Sequence, residues 1–203
     1  MAAGTILVFI LTPQKKNDIF NPAASWTLTN PITYYAPWIG TRNIINRMFI
    51  KEGMHILDAG CGPGRFTIPL ALLTGPSGSV TAVDIQEEMI SRVKARAQRK
   101  GLHNVKVLVV DLGAGGNKLM KSFYDFSLLV TVLGEIPEQS RIPALKEIRH
   151  SLRPGGMLSI TEIESDPDHL SPENIRAMAR EAGFEEYDFF SNRKSFTITL
   201  LKK

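Results

Sequence analysis

Residues 54–66 read Met-His-Ile-Leu-Asp-Ala-Gly-Cys-Gly-Pro-Gly-Arg-Phe, and no other stretch limits the possible folds so tightly. A short apolar run ends in an acid, Asp58, and glycines follow at the alternate positions 60, 62 and 64. An apolar segment, Phe66 to Leu73, comes next. The pattern predicts a buried strand, a tight bend and the N-terminus of a helix. Glycine admits positive φ and lets a ligand approach the backbone with no Cβ in the way. A dinucleotide site reads G-x-G-x-x-G and leaves its bend open to a pyrophosphate. Here the spacing is D-x-G-x-G-x-G, with Arg65 where the last glycine of that fingerprint would fall. An acid two residues ahead of the first glycine repels a pyrophosphate and suits a ligand that carries an ammonium group. A glycine-rich turn without a ligand is the simpler alternative.

A second acid bears on that choice. Val80-Thr81-Ala82-Val83-Asp84 predicts a second buried strand whose terminal carboxylate lies twenty residues after Gly64. There it can accept hydrogen bonds from both hydroxyls of a ribose; capping of the next helix is its other reading. Gln86 to Lys100 predicts that helix, and Val105 to Val110 a third strand closed by Asp111-Leu112. Tyr124 to Thr131 predicts a fourth strand, followed by a loop through Val132, Gly134 and Glu135 and a helix starting near Glu138. That helix runs to Ser151, with Ile142, Leu145, Ile148 and Leu152 on one stripe. Leu152-Arg153-Pro154-Gly155-Gly156 then stops the helix and turns the chain into a fifth strand, Met157 to Ile163. Ser171 caps a helix ended by Gly183, and Phe184–Phe190 and Ser195–Leu201 form two closing strands. Upstream, Thr41 is the N-cap of a helix to Ile50 that presents Ile44, Ile45, Met48 and Phe49. Strands alternating with helices predict the α/β class.

The glycine stretch resembles the first motif of class I S-adenosylmethionine-dependent methyltransferases, of the small-molecule type, and the likeness extends from about Ile50 to the C-terminus. Tyr124 to Pro137 resembles that family's fourth motif, and helix, Leu-x-Pro-Gly-Gly, strand is a further family mark. The resemblance implies a Rossmann-like, doubly wound seven-stranded sheet of order 3-2-1-4-5-7-6. Its last strand is antiparallel, and helices cover both faces. It implies S-adenosylmethionine as cofactor and S-adenosylhomocysteine as product. Asp58, Gly60, Cys61, Gly62 and Gly64 would surround the methionine end, with the glycine N–H groups approaching it. Asp84 would hold the ribose, and Ile85 and Met89 would flank the adenine, Ile85 against its face. Asp111 would take the adenine amino group while the Leu112 N–H reads a ring nitrogen. Thr131 and Val132 would lie near the methionine part. The run Gly113–Asn117 departs from the helical or proline-containing continuation usual in the family. Relatives often carry a histidine before the glutamate at 135; Gly134 stands there, which excludes a histidine base.

A methyl-donating sulfonium needs an enzyme chiefly to align donor and acceptor and keep water out, an effect of up to about 7–11 kcal/mol in favourable models. A general base is needed only where the acceptor must lose a proton. Glu135, Glu162 and Tyr34, with Tyr35 beside it, are the candidates; a solvated strand end for Glu162 and aromatic packing for the tyrosines are their structural alternatives. No Asn-Pro-Pro-aromatic motif and no Pro-Cys nucleophile is present. These features favour a small acceptor such as a quinol, an amine, a carboxylate or a metabolite hydroxyl. RNA or protein methylation, and a non-catalytic scaffold that binds S-adenosylmethionine, are the alternatives.

With 203 residues and 43% apolar content, the chain suits one catalytic domain over 41–203. Residues 1–40 form an N-terminal extension, a candidate lid or homodimer interface. Much of the net charge of +4 comes from Arg92, Lys94, Arg96, Arg99 and Lys100 on one helix, a solvated face rather than a nucleic-acid footprint. The single cysteine forbids an internal disulfide, and Cys61 reads as a small residue that fits rather than a nucleophile. His55, His103, His150 and His169 lack metal-ligand spacing, so no metal is expected. The apolar segment Thr5–Leu11 is too short to span a bilayer and lacks signal-peptide flanks, so the expectation is a cytoplasmic protein.

Overall fold

Apolar runs that alternate two by two along the chain form the strands of a single sheet. The computed structural model describes residues 40–116 and 118–203. Its strands are β1 His55–Ala59, β2 Ser79–Asp84, β3 Val105–Val109, β4 Tyr124–Val130, β5 Leu152–Ile163, β6 Glu185–Ser191 and β7 Ser195–Leu201. They lie in the order β3-β2-β1-β4-β5-β7-β6. The first five pair in parallel, and β7 runs antiparallel to both β5 and β6, as the sequence led us to expect.

Helices α1 Thr41–Ile45, α2 Thr67–Thr74, α3 Glu87–Arg99, α4 Glu138–Ser151 and α5 Pro172–Glu181 cover the faces. Successive strand residues point to opposite sides, and the central strands are apolar on both because helices lie on both. Leu57, Leu129 and Ile160 join Leu145, Ile148 and Ile175 in one core. Their strand neighbours Ile56 and Leu128 join Ile44, Leu70 and Val80 in the other. The order reverses between β1 and β4, and in open sheets of this kind ligands gather beyond the carboxyl ends of the strands at that point. Among the described residues no helix is long and apolar enough to cross a membrane.

Three local expectations are corrected. Helix α1 stops at Ile45 and Gly40, not Thr41, is its N-cap. The Thr41 hydroxyl instead accepts from Arg65 Nε at 2.7 Å. Ile44, Ile45 and Met48 are buried, while Phe49 is exposed with φ of +50°. Strand β5 starts at Leu152, directly after α4, and the Pro-Gly-Gly segment bulges out of it. Tyr124 pairs with Leu152 and Phe126 with Met157, so Arg153–Gly156 fall out of register. Gly155, at φ +76°, donates from this bulge to the Lys202 carbonyl at 2.8 Å. Finally, Gly113 and its neighbours do continue helically, as a 3₁₀ turn over Leu112–Ala114.

Candidate active site

The bend after β1 holds Gly60, Gly62 and Gly64 at φ of +69°, +50° and +84°. All three amides have protein acceptors. Gly60 and Cys61 both donate to the Val83 carbonyl, at 2.8 and 2.9 Å, and Gly64 donates to the Cys61 carbonyl at 3.0 Å. The Gly62 N–H goes to Asp84 Oδ2 at 2.9 Å. Amides in a bend packed this closely against β2 need protein partners, and the β2 tip supplies most of them. What the bend offers a ligand is bare backbone. A Cβ on Gly60 would collide with both methyls of Val132, and one on Gly64 would press on Val93 at 3.1 Å. A Cβ on Gly62 would meet nothing within 4 Å, so the open face is there.

Two carboxylates lie near the bend, one at the tip of β2 and one near the end of β1. Asp84, at the tip of β2, accepts from Gly62 through Oδ2 and from the Gln86 N–H through Oδ1 at 2.9 Å. It thus steadies both the bend and the start of α3, and each oxygen keeps a further lone pair. Burial pushes its pKa up, against the pull of those backbone hydrogen bonds. Asp58 is buried on β1 and accepts the Thr67 hydroxyl at 2.5 Å. Burial raises its pKa to about 7; the Thr67 bond opposes the rise and the charge of Asp84 adds to it. A cation near these two acids would restore their ionised forms.

Cys61 turns its side chain down among Ala82, Ile90 and Val93. Burial first, then the charges of Asp58 and Asp84, push the thiol well above its usual range, so it is a packing residue and no nucleophile. Its thiol also reaches the Gly62 carbonyl, at 3.4 Å. Ile85 is exposed beyond β2 and free to lie flat on a ring, whereas Met89 is fully buried at the start of α3. Asp111 Oδ1 accepts from the Gly113 and Ala114 amides at 2.9 and 3.2 Å, which makes it the cap of the 3₁₀ turn. Leu112 is buried in that turn.

On the opposite side, Thr131 follows β4 in a left-handed conformation, φ +55°, with its N–H on the Thr161 carbonyl at 2.9 Å. Val132 then packs on Gly60. Gly134 abuts the loop that follows β5, because a side chain there would overlap the Asp168 carbonyl. Arg141 braces the β4–α4 loop itself by donating to the carbonyls of Ile136 and Gly134, each at 2.9 Å. The approach gathers Glu135 and Asp166 near Glu162, with Asp168 acting on Glu135. Burial and the charges of Asp166 and Glu135 raise Glu162 to about 8, with Arg141 opposing. Burial, Asp166, Asp168 and Asp84 push Glu135 upward too, though its exposed face lets water screen them. Glu162 is 1% exposed and its Oε1 has no hydrogen-bond partner among the described residues. Tyr34 lies outside the described residues. Among those that are described, no three His, Cys, Asp or Glu side chains converge as a metal site would require.

Sequence reading missed Thr67, Arg141, Asp166 and Asp168. Nothing local in the sequence ties Asp166-Pro167-Asp168 to Gly134.

Residues 50–190 match the methyltransferase domain family. The chain belongs to the class I S-adenosylmethionine-dependent methyltransferases. A crystal structure of a SAM-dependent methyltransferase from Aquifex aeolicus superposes with a TM-score of 0.79 over 90% of this chain and 98% of that one, at 23% identity. Demethylmenaquinone methyltransferase of Geobacillus stearothermophilus is 31% identical over 57% of this chain and 48% of its own length. The enzyme of that name from Staphylococcus aureus (strain JH9) is 30% identical over 66% of this chain and 54% of its own. The chain therefore spans about half the length of the curated relatives it matches. The family's cofactor suits the residues present: a bare face at Gly62, a carboxylate at each neighbouring strand tip, and an apolar flank at Ile85.

Proposed function

We propose that this methyltransferase transfers a methyl group from S-adenosylmethionine to a small molecule held beyond the carboxyl ends of β1, β4 and β5. The observation that carries the reading is a bend with a bare backbone face at Gly62, anchored by Asp84 from β2 and preceded by the buried Asp58 of β1. In this reading Asp84 accepts the ribose hydroxyls with its remaining lone pairs, and Ile85 covers the adenine. Asp111 and Leu112 lie at its far edge. Asp58 supplies negative potential at the methionine end, with Thr131 and Val132 opposite. Bound there, S-adenosylmethionine supplies a methyl group already activated by a positive sulfur. The chain has to orient the two reactants and exclude water, and Glu135, Glu162 and Tyr34 are the groups proposed to contact the acceptor.

A phosphodiester acceptor suits this site poorly. The loops beside Glu135 carry acids, while the cations of α3 serve local ends: Arg92 pairs with Glu88, and Arg96 Nη1 donates to the Pro63 carbonyl at 2.6 Å. The curated relatives, named for a quinone-ring acceptor, also favour a small molecule. Thermal melting tests the first half of the reading. The midpoint rises with S-adenosylmethionine or S-adenosylhomocysteine and stays put with NAD; no rise with either would end it. Labelled methyl transfer into fractionated metabolites, RNA and protein tests the second half, and label confined to RNA or protein would overturn it.

A further inference from the structure

We infer that the methyl acceptor is an amine whose nitrogen is bound by Glu162 and Glu135 at the carboxyl ends of β5 and β4. The inference deepens the methyl-transfer reading and rests on it.

Glu162 stands opposite Phe196 in the β5–β7 ladder, one residue from the strand's end. Its side chain is buried and one carboxyl oxygen has no partner among the described residues. An unsatisfied buried carboxyl destabilises a fold, and nothing in the packing of β5 demands one at this position. Its place beside the reversal of strand order gives that oxygen another use, as the receiver of a hydrogen bond from a ligand.

The surroundings choose the ligand's chemistry. Four acids act on this corner: Glu135 from the β4–α4 loop, Asp166 and Asp168 from the β5–α5 loop, and Asp84 from the tip of β2. Arg141 opposes them, and His169 lies beside Asp166. Arg141 directs Nε and Nη2 to the carbonyls of Ile136 and Gly134, and His169 Nδ1 lies 2.8 Å from the Asp166 carbonyl. Neither forms an ion pair with Glu162. Among the described residues the corner is therefore short of positive charge and short of donors. A quinolate, carboxylate or phosphate would add to the repulsion. A hydroxyl would satisfy one oxygen and leave the charge uncompensated. A metal ion lacks a converging ligand set among the described residues. An ammonium or amine group supplies both donors and charge. Gly134 makes the arrangement possible, since a side chain there would push away the loop that brings Asp166 and Asp168.

The chemistry balances. The ammonium passes one proton to the Glu162 carboxylate, whose ionised form the incoming cation favours. The freed nitrogen lone pair forms the N–C bond to the methyl group while the methyl–sulfur bond breaks and sulfur keeps its electron pair. The methylated ammonium leaves, and Glu162 returns its proton to water.

Calorimetry tests the proposal with benzylammonium and spermidine as probes, and with 1,4-dihydroxynaphthalene as the quinol comparison. The protein is saturated with S-adenosylhomocysteine throughout. At least one ammonium probe binds, more tightly as pH rises from about 6 to 8. Glu162→Gln weakens that binding at least about tenfold, the scale of one charge-assisted hydrogen bond, and flattens the pH dependence. Glu135→Gln, at an exposed position, weakens it less. Affinity for S-adenosylhomocysteine stays within about twofold in both variants. Failure of both ammonium probes to bind, ammonium binding unchanged in both variants, or preference for the quinol would overturn the proposal. A wild-type protein that takes up no S-adenosylhomocysteine would instead defeat the methyl-transfer reading, and that arm is read separately.

Discussion

The carboxylate of Asp84 accepts the Gly62 amide at 2.9 Å, so the tip of the second strand ties down the bend that follows the first. Its other oxygen takes the Gln86 amide at the start of α3. One side chain thus links three elements at the edge of the cofactor site.

Replacing Asp84 should therefore act twice. Asp84→Ala weakens S-adenosylmethionine binding by about 1.5–3 kcal/mol, the range for hydrogen bonds to a charged group. It also lowers the melting temperature of the ligand-free protein, because two backbone donors lose their acceptor. Asp84→Asn keeps one acceptor oxygen and falls between. Calorimetry and thermal melting read the two effects, and unchanged affinity in the alanine variant would remove Asp84 from the site.

Gly62→Val should abolish cofactor binding and leave a folded chain. The residue sits at φ +50° with open space where a Cβ would go. The left-handed conformation costs a branched residue about 1–2 kcal/mol, and the new methyls fill the face a ligand would touch. Far-UV circular dichroism checks the fold and calorimetry the binding; retained affinity would contradict close backbone approach.

Gly134→Ala separates the two halves of the site. Its methyl would overlap the Asp168 carbonyl, and the β5–α5 loop has to move. Overpacking of this kind costs about 1–3 kcal/mol. Affinity for S-adenosylhomocysteine should hold, because the bend and Asp84 are untouched, while methyl transfer is lost. Loss of both together would place the cofactor against this loop.

The ligand-free protein should lose stability as pH rises from about 4 to 8. Asp58 and Glu162 have folded pKa values raised to about 7 and about 8. Across that window the folded chain keeps protons that the unfolded chain has released, so each increase in pH favours unfolding. Asp58→Asn and Glu162→Gln should each flatten the decline in melting temperature, as should saturating S-adenosylmethionine. A melting temperature that climbs over this range in the wild type, and falls less steeply in neither variant, would contradict the assignment.

The sheet was legible in the sequence because its strands are short apolar runs set between helices, and because Asp58 and Asp84 mark two strand ends. Helix periodicity located α3, α4 and α5 for the same reason. Other features depend on contacts remote in the chain. Thr41 looks like an N-cap until Arg65 claims its hydroxyl. Pro154-Gly155-Gly156 looks like a turn before a strand, yet pairing of Leu152 with Tyr124 makes it a bulge within one. The glycine amides looked available because a local reading cannot see the Val83 carbonyl and the Asp84 carboxylate that take them. Glu162 read as a charged strand end because its burial depends on loops from two other parts of the sheet.

Because the amides of the bend at Gly60–Gly64 are taken by the tip of β2 and by the Cys61 carbonyl, it holds its shape before any nucleoside arrives. A template already set forfeits little disorder on docking, so association should proceed without a slow ordering phase. In the free protein the amides of residues 60, 61, 62 and 64 should resist deuterium exchange, like strand interiors rather than like a loop.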